Sequence, residues 1–255
     1  MIPVLLRTGN LVETSSAYGP GMRGRSGFTS RLVRSTGAGE MPHIESDLRH
    51  AILTGGQPPG TTIPIDDVAG FFGVSPIPVR EALKTLLGEG LVEHRPHVGY
   101  SVAKLTFREF TELYDVRQAL ESAALRGAAL RATRSDEDRV RAAHAQLVRA
   151  IELGDERAYD AGTRRFHLTL IAPSGMQRLI RMYESAWNIT EPARPMSRVP
   201  EHDRAALHIE HERMVEAFVA RDADAMLAQS DRHYAHLKDA IAHFADDPEC
   251  FVHPG

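Results

Sequence analysis

The stretch Gly73-Val-Ser-Pro-Ile-Pro-Val-Arg-Glu-Ala-Leu-Lys-Thr-Leu-Leu-Gly-Glu-Gly-Leu-Val92 decides how this chain folds. Gly73-Val74-Ser75 predicts a tight turn, with Ser75 placed to accept a backbone N–H at a helix start. Pro76 and Pro78 follow where a missing N–H costs nothing. Val79, Ala82, Leu83, Leu86 and Leu87 recur at helical spacing, and Gly88 and Gly90 end the run. Arg80 and Lys84 fall one turn apart on the face those apolar residues leave free. A short helix held from behind and basic in front suits the DNA major groove. Standing alone, the pattern fits an ordinary amphipathic helix with solvated Arg and Lys better.

The flanks separate the two. Upstream, Ile44, Leu48 and Ile52, with Ala51 beside them, mark a first helix, and Asp66-Asp-Val-Ala-Gly-Phe-Phe-Gly73 a second. Downstream, Leu91-Val-Glu-His-Arg-Pro-His-Val-Gly-Tyr-Ser-Val102 reads as two short strands around a Pro/Gly tip. Three short helices and a hairpin make a winged helix-turn-helix.

Several of these residues recur at fixed spacing: Leu48-Arg-His-Ala-Ile-Leu-Thr-Gly55, Pro59-Gly60, Val68-Ala69, Gly73-Val-Ser75, Pro78-Val-Arg-Glu-Ala-Leu83, Glu89-Gly-Leu-Val92, and Arg95-Pro96 with Gly99. The set resembles the DNA-binding domain of the GntR family of bacterial transcription regulators. The resemblance implies a partner, double-stranded operator DNA. It makes Arg80 the candidate for reading bases, with Ser75, Lys84, Arg95 and His97 as further contacts; His94 and Tyr100 could supplement the wing. Lys84 and Arg95 suit backbone positioning. Departures from the family pattern stand at Pro76 and Ile77, where relatives carry Arg and a small hydroxyl residue, and at Asp66, where a base is common. Proline cannot make a bidentate guanine contact, so the operator should differ from the common one.

Composition bounds the rest. The 255 residues are 42% apolar and 25% charged, with a formal charge of −4, which suits one large or two modest domains. One cysteine, Cys250, excludes an intramolecular disulfide framework and fits a reducing compartment. No apolar run reaches membrane-spanning length, so the expectation is a cytoplasmic protein with no membrane partner. Residues 1–40 carry five Arg against two Glu, while 41–105 carry five Lys and Arg against seven Asp and Glu. Since phosphate neutralisation supplies much of DNA affinity, modest affinity and strong salt dependence are expected.

Residues 1–40, rich in Gly, Ser, Thr and Arg, read as a disordered basic arm, and 41–104 as the winged helix-turn-helix. From Leu105 the pattern turns Ala-rich and helical. Thr106 caps a helix over 107–132, and Ser135 with Asp136 and Asp138 opens one running to Leu153, closed by Gly154. Further helices are expected over 155–172, 175–190, 202–220 and 222–245, with Pro192, Pro195 and Pro200 isolating a loop and 246–255 a short tail. The fold class is thus mainly α: a winged helix-turn-helix followed by an all-α helical-bundle ligand-binding domain over 105–245.

That second part is similar to the FCD ligand-binding domain of the FadR-like branch of the GntR family. The likeness rests on Tyr114-Asp-Val-Arg-Gln-Ala-Leu-Glu121, Phe166-His167 with Ser174-Gly175, Glu210-His211 with Arg221-Asp222, and His233. It implies a divalent transition metal held by His167, His211 and His233, with an acidic ligand one turn before the first. Here that position is Thr163, a poor ligand for a divalent ion. Three His plus water or effector would favour zinc or nickel over manganese or magnesium. Asp160 lies two helical turns from His167, about 10 Å, too far to share one ion. His208 and His236, three residues from candidate ligands, are weaker members. Arg117, with Glu121 one turn on, is the candidate anchor for a small carboxylate effector, beside Thr163; the alternative is an Arg–Glu pair on a solvated face.

The reading is a homodimeric, ligand-responsive regulator and not an enzyme. Two other readings stay open at this point. One is a three-His metal-dependent hydrolase. The other is an interaction protein whose DNA-binding domain has decayed, motivated by Pro76, Asp66 and the local negative charge.

Overall fold

The computed structural model describes residues 27–35 and 43–252. Among the described residues, ten α-helices and one small sheet follow in order: α1 Ile44–Leu53, β1 Thr62–Ile63, α2 Ile65–Phe72, α3 Pro76–Gly88, β2 Val92–Arg95, β3 Gly99–Val102, α4 Phe107–Arg131, α5 Arg134–Glu152, α6 Glu156–Ile171, α7 Gln177–Thr190, α8 Pro195–Arg198, α9 Glu201–Ala220 and α10 Ala223–Ala242. Two apolar cores form, one under α1–α3 and the wing, the other inside α4–α10.

In the first core, Leu48, Ile52, Val68, Val79, Leu83 and Leu86 are fully or almost fully withdrawn from water. Burying each such side chain stabilises by about 1.5–3 kcal/mol, which fixes α3 from behind. Leu87 instead stays 41% exposed, because it turns past the edge of the stripe. Gly73, at φ 69°, closes α2 in the left-handed conformation, as the sharp turn into α3 requires. Ser75 occupies the N-cap of α3, but its side chain makes no capping hydrogen bond, correcting the capping role expected of it. The wing gains a third strand: Thr62–Ile63 pairs antiparallel with β3, giving the order β1-β3-β2. Val92 opposes Val102 and Arg95 opposes Gly99 across the hairpin.

The expected disordered arm needs correction over its described part. Phe28, Thr29 and Leu32 are buried against the first core, and Gln57 Nε2 donates to the Phe28 carbonyl at 2.8 Å. Phe28 and Leu32 stand one turn apart, so two apolar anchors suffice to dock the segment. The other residues of that arm, and 253–255 of the expected tail, lie outside the described residues. The rest of that tail packs: Cys250 and Phe251 are buried, Phe251 meets Phe107 and Phe110 edge-on, and Val252 N–H donates to the Leu105 carbonyl.

In the bundle, α4 starts at Thr106 in a reciprocal capping box with Glu109. The cap of α5 is Thr133, boxed with Asp136, and not Ser135. The expected loop at Pro192–Pro200 is instead a 3-10 turn, Glu191–Ala193, followed by α8. Pro195 and Met196 are buried, and the segment covers one side of the bundle cavity. It also meets the first core's layer. Gly55, at φ 68°, lies against the Arg194 side chain so closely that a Cβ there would overlap it. No helix among the described residues is long and apolar enough to cross a membrane.

Candidate functional site

Two sites take shape, one on each side of the chain's division into cores. On the first, α3 presents Arg80 and Lys84 outward while Val79 and Leu83 are buried behind them. Arg80 forms no hydrogen bond or ion pair among the described residues. Lys84 pairs with Glu81 at 2.9 Å and Arg95 with Glu93 at 3.3 Å, so each carries a neighbour that must yield to a phosphate. Ser75, Arg95 and His97 are exposed on the same set of elements, and His97 holds the wing tip at φ 64°. Ile77 is 68% exposed at the start of α3, an apolar group where the DNA edge would be met. His94 and Tyr100 meet at a tilt of 47°, 4.5 Å between ring centroids.

The second site lies inside the bundle. Helix α6 turns Tyr159, Thr163, Phe166, His167 and Leu170 inward, an i, i+4, i+7 stripe. His211 from α9 and His233 from α10 meet His167, with one ring nitrogen from each within 4.8 Å of the others. All three rings are at most 2% exposed. His167 donates from Nδ1 to Glu121 at 3.0 Å, and His233 Nδ1 contacts Glu210 at 3.1 Å. A carboxylate on one ring nitrogen fixes the tautomer and leaves the other nitrogen a lone pair, the usual support of a metal-binding imidazole. His167 Nε2 and both nitrogens of His211 are buried without a hydrogen-bond partner among the described residues. Burial, together with neighbouring His233 and His167, pushes the His211 pKa well down, so its ring stays neutral. The donor set therefore fits a borderline transition metal such as zinc or nickel.

Glu121 sits behind this cluster. It accepts hydrogen bonds from Tyr183 and Tyr234 hydroxyls and from Ser230 as well as His167. Burial opposes its ionisation, yet His167 and these donors hold its carboxyl down at about 2. Its oxygens face its own partners and not the cavity, whereas Arg117 and Thr163 do line the cavity. Thr163 spends its hydroxyl proton on the Tyr159 carbonyl at 2.9 Å. Arg117 is 2% exposed, with its guanidinium carbon 3.4 Å from the Trp187 ring centroid and 4.5 Å from that of Tyr114. The solvated Arg–Glu pair is thereby excluded.

Sequence reading missed the other walls. Asp160 Oδ1 is buried and unpartnered, while Oδ2 takes Arg194 at 3.3 Å; burial raises its pKa to about 6. Glu191 accepts from Trp187 Nε1 at 2.7 Å, and burial with Asp160 nearby raises it to about 7. The Trp187/Glu191 spacing of four residues was the available signal, hidden because the Pro-rich stretch read as an isolated loop. His208 does not join the three-His cluster but stacks on His144, 4.8 Å between centroids. His236 shares Glu210 with His233.

Comparison with known proteins agrees with both halves. Residues 42–102 match the family model described as bacterial regulatory proteins, gntR family, and residues 112–236 match the FCD domain. A probable D-xylose utilization operon transcriptional repressor of Paenarthrobacter nicotinovorans is 30% identical over 221 residues, 84% of this chain and 93% of that one. The Uxu operon transcriptional regulator of Escherichia coli is 25% identical over 236 residues, 84% of this chain and 92% of its own. The fold matches the solved structure of E. coli McbR/YncC with a TM-score of 0.70, at 24% identity, over 78% of this chain and 95% of that one. The D-xylose and Uxu operon relatives are transcriptional regulators, which removes the hydrolase reading. The chain belongs to the GntR family of bacterial transcription regulators, with an FCD domain behind its winged helix-turn-helix.

Proposed function

We propose that this regulator is switched by a small carboxylate effector bound inside the bundle. In this reading His167, His211 and His233 hold a zinc- or nickel-class ion, and Arg117 anchors the effector carboxylate. The observation that carries it is His211: a fully buried imidazole with both nitrogens unpartnered is costly unless something accepts its lone pair. A bound divalent ion supplies a positive centre that draws an anionic group into the cavity. Arg117 adds a second positive centre whose desolvation has already been met by the rings of Trp187 and Tyr114. Glu121 and Glu210 act by orienting His167 and His233, not by touching effector.

The cavity encloses only about 10 Å³, room for roughly one water. An effector of several heavy atoms therefore enters only if a wall moves, and the Glu191–Val199 segment is the wall without long-helix support. Arg194 in that segment packs on Gly55 at the end of α1. Displacement there alters how the winged helix rests on the bundle, so the effector's affinity differs between the two arrangements, as switching requires. In a homodimer this changes the spacing of two recognition helices on a pseudo-palindromic operator.

The test is metal retention. Zinc- or nickel-loaded protein, dialysed and assayed by elemental analysis, should keep about one ion per chain, and His211→Ala close to none. Wild-type protein that keeps none under these conditions overturns the metal reading.

A further inference from the structure

We propose that the cleft between α1 and the outer face of α6, which shares only Asp160 and Glu191 with the bundle cavity, is a second site for a phosphorylated, sugar-sized molecule. While the inner stripe of α6 builds the bundle cavity, its outer stripe, Arg157, Ala161, Arg164, Arg165 and Leu168, faces His50, Leu53 and Thr54 of α1 across about 790 Å³. That volume suits a ligand of metabolite size. Arg157 and Arg165 on this wall lack an acidic partner among the described residues, although Asp160 and Glu191 also line the cleft. Arg165 donates to the neutral amide of Gln146 at 2.8 Å, and Arg164 to Asn188 at 3.1 Å, with Glu184 out at 3.8 Å. Three guanidinium groups held this way match the oxygens of a phosphate, which they can bind in fork geometry.

A bare anion would leave the rest of the cleft unused. Asp160, 8% exposed and with its buried Oδ1 lacking a hydrogen-bond donor among the described residues, lines the same cleft. A carboxylate oxygen there accepts from hydroxyl groups and repels a second phosphate. Leu53 and Leu168 add apolar surface to the lining. An anionic group for the arginines, hydroxyls for the Asp160 oxygen and a short carbon skeleton joining them describe a sugar phosphate. Its occupant would touch α1, which packs in the DNA-binding core, and α6 at once.

The experiment uses the single tryptophan, Trp187, whose neighbour Asn188 and partner Glu191 both line the cleft. Full-length protein freed of metal by chelator is titrated with ribose 5-phosphate, with ribose, and with inorganic phosphate at fixed ionic strength, following tryptophan fluorescence and heat. Ribose 5-phosphate should bind about tenfold or more tightly than either part alone. The double variant Arg157→Gln/Arg165→Gln, at two exposed positions, should lose about tenfold with an unchanged melting curve. Absence of binding, equal affinity for inorganic phosphate, or binding indifferent to the double variant each overturns the proposal. Loss of operator affinity in that variant without any sugar-phosphate binding also overturns it, assigning the arginines to the DNA backbone. Because metal is removed beforehand, the result is independent of the three-His reading.

Discussion

On the recognition helix, Arg80 stands in solvent without a partner among the described residues. In the bundle, Arg117 is 2% exposed and lies against the faces of Trp187 and Tyr114. In the proposed reading the same guanidinium serves two kinds of recognition. DNA brings its own field and geometry, so Arg80 needs only a rigid rod behind it and freedom in front. A small effector offers few contacts, so its anchor must be stripped of water before the effector arrives. The cost of holding Arg117 that way falls on the surrounding bundle, where Glu121 is likewise fixed by four donors.

The sharpest way to break this contrast is to remove the exposed arginine. Arg80→Ala should lose about 1–3 kcal/mol of specific operator binding per half-site, while affinity for unrelated DNA barely moves. Salt-titrated binding to both DNAs reads the ratio. Unchanged specific binding would take Arg80 out of the base-reading role and revive the idea of a decayed DNA-binding domain.

On the bundle side, pH separates buried from exposed charge. Glu191 holds its proton up to about 7 when folded, against 4.5 as its ordinary value. Between those values the native chain binds more protons than the unfolded one, so stability falls as pH rises through the window. Glu191→Gln keeps an acceptor for Trp187 but removes the charge. The variant should gain on wild type by about 2–3 kcal/mol on going from pH 4.5 to pH 8, measured by urea unfolding at each pH. A constant difference across that range would show that the carboxyl is not held in low dielectric.

The two regions also differed in how far they were legible. The winged helix reads from short-range signals: Gly73 at positive φ, Pro76 at the start of α3, and a Val79–Leu83–Leu86 stripe. The three His could be named because the resemblance to the FCD domain singles them out and each sits on its own helix. The way they are supported could not, because Glu121 on α4, Tyr183 on α7 and the pair Ser230 and Tyr234 on α10 converge from three helices far apart in the chain. The Glu191–Val199 segment was misread for a physical reason. Prolines punctuate local structure, but here they start a 3-10 turn and a short helix that cover the cavity through tertiary contacts. Phe28 and Leu32 were lost in a polar stretch whose average composition outweighed two anchors.

The smallest effect tests whether the bundle's stability can be lowered without touching DNA recognition. Thr133 accepts the Asp136 N–H, and Asp136 in turn accepts the Thr133 N–H at 2.7 Å, closing two otherwise orphaned donors at the start of α5. Thr133→Ala should therefore cost about 1 kcal/mol in unfolding, and Ser135→Ala, inside the first turn, much less. Helix α5 packs on α6 and α9, not on the recognition helix. Operator affinity at a temperature well below melting should thus be the same for Thr133→Ala and wild type. If it fell in step with stability, the recognition helix would depend on bundle order even without effector. The division between a free reader and a pre-stressed sensor would then be one cooperative unit.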